Sequence, residues 1–252
     1  MNGILCAGDM YLERIADNGA GLGLIGPLNT TKLEIKPTSE SKSRKSTKKA
    51  SYGQLLDDVI IPGATEITIA IDDQPSEVVE MALQGQAEAI NQGAGNLAAV
   101  AVTLLKGRWT ELPNSNLVAA AASVTDSSNA DAALDIGADV EINWADGLIR
   151  PVVGGALENG GPVKVTASFN ALTGTRVKGG LASSNRYRLV LKGKNLANRK
   201  PIRLNVPLCT LSPSNGTDFM AADYVSTELT GKVILVSENG VPYSYEEHEV
   251  LA

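Results

Sequence analysis

In Thr31-Lys32-Leu33-Glu34-Ile35-Lys36, Leu33 and Ile35 alternate with charged neighbours, the period of a half-buried strand, and Pro37 ends the run. Thr65-Glu66-Ile67-Thr68-Ile69-Ala70-Ile71 repeats the pattern, with the three isoleucines on one face and Glu66, Thr68 and Ala70 on the other. The two strands are expected to pair. Asp72-Asp73-Gln74-Pro75-Ser76-Glu77 reads as a helix start, with a carboxylate to cap free amides and proline near the first helical position. Val78, Val79, Met81, Ala82 and Leu83 supply its apolar stripe, and Gly85 stops it. Further strands are predicted at 100–105, 117–125, 138–144, 148–153, 163–169, 186–191, 202–208 and 232–236. In Asp139-Val140-Glu141-Ile142-Asn143-Trp144, Val140, Ile142 and Trp144 turn inward, and Asp146-Gly147 then turns a hairpin.

Between the two early strands runs a long inter-strand loop, residues 38–64. Its section Ser41-Lys42-Ser43-Arg44-Lys45-Ser46-Thr47-Lys48-Lys49 carries five bases and no acid. The whole chain has 22 Lys and Arg against 28 Asp and Glu, so without these nine residues 17 bases would face 28 acids. Positive charge is therefore concentrated, unlike an evenly solvated surface. After it Tyr52, Leu55, Leu56, Val59, Ile60 and Ile61 form an apolar return leg. A loop of this length in a compact domain is generally functional or disordered. Extended out and back, its ~18 residues from Thr38 to Leu55 reach about 30 Å beyond a sheet, far enough to touch a neighbouring subunit. No fixed-period repeat and no linker rich in Pro, Gly or Ser divides the chain, so 1–252 reads as one domain, with an exposed excursion or decoration placed at 170–184.

Composition narrows the classes. With 43% hydrophobic and 20% charged residues, whole-chain disorder is excluded, and 4% aromatics with 25 glycines point to a mainly β fold. A net charge of −6 argues against a whole-molecule nucleic-acid binder. Cys6 and Cys209 are too few for a disulfide framework or a cysteine-rich zinc site, and read as small apolar filler. The one histidine, His248, sits among Glu246, Glu247 and Glu249 as a solvated residue. No catalytic triad, metal site or cofactor is expected. The start has no basic leader pattern, and the apolar run 97–105 is far short of the ~20 residues that span a bilayer, so a soluble, cytoplasmically made chain without membrane contact is expected.

Gly21-Leu22-Gly23-Leu24-Ile25-Gly26 matches the string of dinucleotide-binding turns, but Pro27, Leu28 and Asn29 lead into a strand and not a helix, so it reads as a flexible connection. Each acid pair has a structural reading: Asp72-Asp73 caps the helix, Asp57-Asp58 balances the basic loop, and Glu246-Glu247 belongs to an acidic tail. An enzyme is not expected. The basic loop lacks interleaved aromatics to stack bases, which favours a protein partner or a second copy over nucleic acid, and the acidic surface elsewhere makes self-association the economical account.

The order Gly8-Asp9-Met10-Tyr11-Leu12-Glu13-Arg14, Asn29-Thr30-Thr31-Lys32-Leu33-Glu34-Ile35, Lys42-Ser43-Arg44-Lys45-Ser46 and Tyr52-Gly53-Gln54, then the Thr65 strand and the Pro75 helix, resembles the tail tube (major tail) proteins of long-tailed bacteriophages over roughly residues 8–86. The resemblance implies a two-sheet antiparallel β-sandwich with one flanking α-helix. It implies six copies in a ring, with inner sheets joined into one barrel, and rings stacked into a hollow conduit for DNA ejection. The loop at 38–64 would reach the adjacent ring through Lys42, Arg44, Lys45, Lys48, Lys49 and Tyr52. Such lumens are commonly acidic, and Glu34, Glu66, Asp139 and Glu141, each out of phase with apolar neighbours, are the lumen candidates. Implied partners are other copies of the chain, tape-measure, tail-tip and tail-terminator proteins, and DNA in transit; the implied location is the virion tail, after synthesis in the host cytoplasm. The alternative is a soluble β-sandwich binding module, adhesin-like or carbohydrate-binding, with the basic loop as its ligand surface.

Overall fold

The computed structural model describes residues 3–181, 185–237 and 240–249. It is mainly β, with 57% of residues in strands and 3% in helix, and its sheets are antiparallel wherever the pairing is defined. In place of the single domain predicted from sequence, the chain divides into two compact units, Met1–Glu88 with Val177–Ala252, and Ala89–Arg176. The second is an insertion in the first. Of the expected excursion at 170–184, Ala182, Ser183 and Ser184 lie outside the described residues.

The first leg of the chain supplies β1 (Cys6–Ile15), β2 (Gly21–Leu28), β3 (Thr30–Lys36), β4 (Ser39–Lys45), β5 (Leu55–Pro62), β6 (Glu66–Ile71), α1 (Ser76–Ala82) and β7 (Gln86–Gln92). The insertion holds β8 (Gly95–Leu105), β9 (Thr110–Glu111), β10 (Leu117–Asp126), β11 (Ala132–Leu134), β12 (Val140–Asn143), β13 (Leu148–Pro151) and β14 (Gly160–Phe169). β15 (Leu172–Lys178) pairs with β7, and these two strands carry the chain out of the first unit and back. β16 (Arg186–Asn195), β17 (Pro201–Pro213), β18 (Thr227–Val233) and β19 (Ser244–Glu247) complete the first unit.

Strands β2-β1-β16-β17-β18-β6-β3 form one hydrogen-bonded path, with β19 also on β17. As predicted, β3 and β6 pair, with Leu33 opposite Ile69 and Ile35 opposite Ile67. The outermost strands of that path are β2 and β3, and Asn29 alone joins them. A flat sheet of seven strands would hold its edges about 29 Å apart at ~4.8 Å per strand. One linking residue allows only about 7 Å between Cα atoms. The sheet therefore rolls over on itself, and its two halves enclose one core: Met10 and Leu12 of β1, Ile67, Ile69 and Ile71 of β6, Leu189 of β16, Val206 and Leu211 of β17, and Leu229 of β18. Val78 and Met81 of α1 close one side of it. Burial of each such side chain contributes about 1.5–3 kcal/mol.

The carboxylates predicted to cap α1 do another job. Pro75 is the N-cap, and no side chain caps the helix. Asp73 Oδ2 accepts from the Asn29 amide at 2.7 Å, and Asp72 Oδ2 accepts from Asn29 Nδ2 at 2.8 Å. The pair thus clamps the residue on which the sheet turns back. At the other end the stop at Gly85 is as predicted, with the Gly85 amide donating to Glu80 O at 2.7 Å. The left-handed residue, however, is Gln84 at φ 46°, and Gly85 is needed because a Cβ there would lie 2.6 Å from Val177 Cγ1. Gly21-Leu22-Gly23-Leu24-Ile25-Gly26, predicted as a flexible connection, is strand β2. Its glycines hide the alternation by which strands are recognised.

In the insertion two sheets, β11-β10-β14-β8 and β12-β13-β9, share one core that includes Leu104, Val124, Val140, Ile149 and Val165. Val140 and Ile142 face inward as predicted. The Asp146-Gly147 hairpin forms, with Gly147 at φ 68° and Asn143 Nδ2 donating to Asp146 Oδ2 at 2.7 Å.

Ile69 and Ile60 give a direct comparison, since one is fully buried and the other is 68% exposed. Ile69→Ala should cost the first unit about 2–5 kcal/mol, and Ile60→Ala in the dilute chain less than about 0.5 kcal/mol. Urea unfolding followed by circular dichroism reads both; equal losses would contradict the assigned core.

Candidate assembly surfaces

The basic loop predicted at 38–64 is a two-stranded ribbon made of β4 and β5, and every residue of both strands is exposed. Its ladder runs from Ser39 opposite Pro62 to Lys45 opposite Leu55, with one register shift between Arg44 and Lys45. A folded tip ends it. Ser46 donates its amide to Gln54 O at 2.8 Å, Gly53 donates back to Ser46 O at 2.9 Å, and the buried Ser46 hydroxyl meets that of Ser51 at 2.7 Å. Those bonds hold Lys48, Lys49 and Tyr52 at the tip, where Tyr52 is 79% exposed. Seven paired residues give the arm a reach of about 23 Å.

Charge and greasiness separate by strand in this arm. Residues opposite each other in an antiparallel pair share a face. One face therefore carries Lys42 with Val59 and Arg44 with Asp57; the other carries Ser41 with Ile60 and Lys45 with Leu55. β4 is polar on both faces, and β5 is apolar on both along Val59, Ile60 and Ile61. A strand that is apolar on both faces is the kind that other chain covers on both sides. Here nothing covers it. Asp58 accepts from the Ser41 hydroxyl and stands opposite Ser43, so the expected acid pair does sit beside the bases.

Of the four acids proposed for the lumen, two lie in each unit. Glu34 and Glu66 lie on the same outward face of β3 and β6, opposite Thr68 and Lys36 respectively. Lys32 pairs with Glu34 and Lys36 with Glu66, both at 3.2 Å. On the far side of β6, Lys232 stands opposite Glu66 and Glu228 opposite Ala70. This face carries interlocked charges of both signs. Asp139 and Glu141 belong to the other unit. Asp139 precedes β12 and accepts from the amides of Ala156 at 2.8 Å and Asp135 at 2.9 Å, which hold its carboxyl below the usual range. Glu141 grips Arg150 at 2.6 Å, and Arg150 stacks 4.5 Å from the Trp109 ring centroid.

A groove that sequence reasoning missed lies between β2 and α1. One cavity of about 200 Å³ is lined by Leu22, Ile25, Glu77, Glu80 and Met81, with Arg14 paired to Glu80 at 3.1 Å. A second, of about 530 Å³, is lined by Leu24, Pro27, Asp73 and Gln74 and shares Ile25 and Glu77 with the first. The signal existed in sequence only as Leu22 and Leu24 between glycines; in the fold they are 65% and 48% exposed. Another groove, of about 350 Å³, is lined by Cys6, Thr31, Lys32, Leu33, Leu191 and Tyr245. No helix among the described residues is long and apolar enough to cross a membrane.

The chain is β-rich with an exposed ribbon, and no metal-ligating side chains converge among its described residues. Residues 4–244 match the model of a family described as protein of unknown function UCP028589, and the chain belongs to that family. No curated protein matches it.

The two cysteines differ sharply. Cys6 is exposed, whereas burial pushes the Cys209 thiol up to about 12 from 9.0, and its Sγ donates to Tyr187 O at 3.3 Å. A thiol reagent at pH 8 should therefore modify one cysteine in the native chain and two after denaturation. The folded state holds the Cys209 proton more tightly than the unfolded state, so this group leaves stability unchanged below pH 9 and lowers it as pH rises toward 12. Rapid modification of both thiols in the native chain would contradict this packing.

Proposed function

We propose that the chain is a structural virion protein, a tail tube subunit of a long-tailed bacteriophage, whose copies assemble into stacked, hexameric rings around a hollow conduit for DNA. The observation that supports this most is the β4–β5 arm: an ordered ribbon, exposed throughout, with an apolar strand that its own chain leaves uncovered. Monomeric proteins rarely expose such a contiguous surface unless it meets a partner. The rolled sheet acts on this reading as the two-sheet sandwich of a tube subunit, flanked by α1. Among the described residues its outer strands β2 and β3 each keep one open edge, and contacts with other copies cover such edges and remove the hazard they pose. No chemistry is assigned to the chain. Its partners are further copies in the ring and in the next ring, tape-measure, tail-tip and terminator proteins in the assembled tail, and DNA in transit.

In the lumen this reading keeps Glu34 and Glu66. Their neighbours Lys32 and Lys36 are tied into ion pairs, which leaves few free cations to hold phosphate. Asp139 and Glu141 lie in the inserted unit, engaged with backbone amides and with Arg150.

Replacing Lys42, Arg44, Lys45, Lys48 and Lys49 together by glutamate should leave a folded chain that forms no stacked tubes on electron micrographs; tubes of normal length would refute the inter-ring role. Glu34→Lys with Glu66→Lys should leave tubes intact but slow DNA release, with the slowing relieved by salt. Release at the native rate would remove both residues from the lumen.

A further inference from the structure

Resting on the tube reading, the geometry points to a specific seat for the arm: we propose that β5 of one copy docks in the β2–α1 groove of a neighbouring copy and adds a strand to the open edge of β2. Three features of the molecule converge on this pairing.

The first is an unfinished strand. Among the described residues β5 has one hydrogen-bonded neighbour, β4, and a free edge on its other side. Val59, Ile60 and Ile61 are 54%, 68% and 39% exposed. Such a strand is completed by pairing at its edge and by cover on both faces.

The second is a matching receptor. β2 has eight residues, as β5 does, so both edges run for about 26 Å. Among the described residues β2 pairs only with β1, and Leu22 and Leu24 beside it are exposed. Two cavities that share Ile25 and Glu77 on their linings lie along that strand beside α1, offering both apolar and acidic contacts.

The third is charge. The β2–α1 groove carries Asp73 and Glu77, both exposed, and no free base, since its Arg14 is already paired with Glu80. The arm brings Lys42, Arg44 and Lys45 alongside β5 and Lys48 and Lys49 at its tip. The alternative groove beside β3 has no acid on its lining, and its one base, Lys32, is paired with Glu34, so it offers a basic arm no attraction. The arm leaves its own groove empty, because all of β5 is exposed. An arm-to-groove contact uses different surfaces on its two sides, so it propagates from copy to copy and does not close on a dimer.

Cysteine crosslinking tests this. In a Cys6→Ser background, Ile60→Cys is combined in turn with Leu22→Cys, Leu24→Cys or, as the other-groove control, Lys32→Cys; all four sites are exposed, so folding is preserved. Concentrated protein is treated with a short bis-maleimide and run on a denaturing gel, with a parallel micrograph. The expected result is a ladder of covalent multimers with Leu22→Cys or Leu24→Cys, none with Lys32→Cys, and loss of most of the ladder when Glu77→Lys is added. Tubes on the micrograph with no ladder, or a ladder only with Lys32→Cys, would overturn the groove assignment and leave the tube reading standing. A chain that forms neither tubes nor multimers at any concentration would overturn the tube reading, and the groove assignment with it.

Discussion

A β-strand with apolar side chains on both faces and an unpaired edge is an incomplete structure in water. β5 is such a strand, and its ladder to β4 and the hydrogen-bonded tip at Ser46 and Ser51 hold it out, ordered, with no cover from its own chain. Ordering the ribbon carries a conformational entropy cost that its exposed contacts do little to offset. On the proposed reading another copy supplies the missing stabilisation, β2 offers the receptor edge, and the basic residues on β4 select where the arm lands.

The arm can be held out because the rest of the first unit is closed tightly. Asn29 turns the sheet from one edge to the other in one residue, and Asp72 and Asp73 fix it by side-chain and backbone contacts. The turn is what places isoleucines of β6 against leucines of β1 and β16 in one core. It also leaves β2 and β3, consecutive in the chain, as the two ends of the strand path.

Much of this was legible wherever side chains alternate. Leu33 and Ile35 against Ile67, Ile69 and Ile71 announced a strand pair, and Pro75 with Gly85 announced a helix, because period and backbone restriction are local properties. The job of Asp72 and Asp73 was not local: their partner lies more than 40 residues earlier in the chain. β2 was hidden because glycine carries no face. The ribbon reads as a loop in sequence because serine and lysine carry no apolar alternation along β4, although the apolar return leg from Leu55 to Ile61 is evident. The two-unit division was illegible because the chain crosses between units in strands β7 and β15, with no linker composition to mark it. For the candidate site, the five bases and Tyr52 all fall on the β4–β5 ribbon and its tip. Phase alone could not tell that Asp139 would be spent on a turn and Glu141 on Arg150.

Hydrogen–deuterium exchange of the β5 amides, followed as protein concentration is raised, bears most directly on whether another copy completes this strand. Amides on the free edge of β5 should exchange rapidly in dilute protein and become strongly protected as assemblies form, with protection appearing at β2 over the same concentration range. Rapid exchange along β5 in fully assembled material would show that the strand stays uncovered, and would contradict the idea that it is built to be finished by a neighbour.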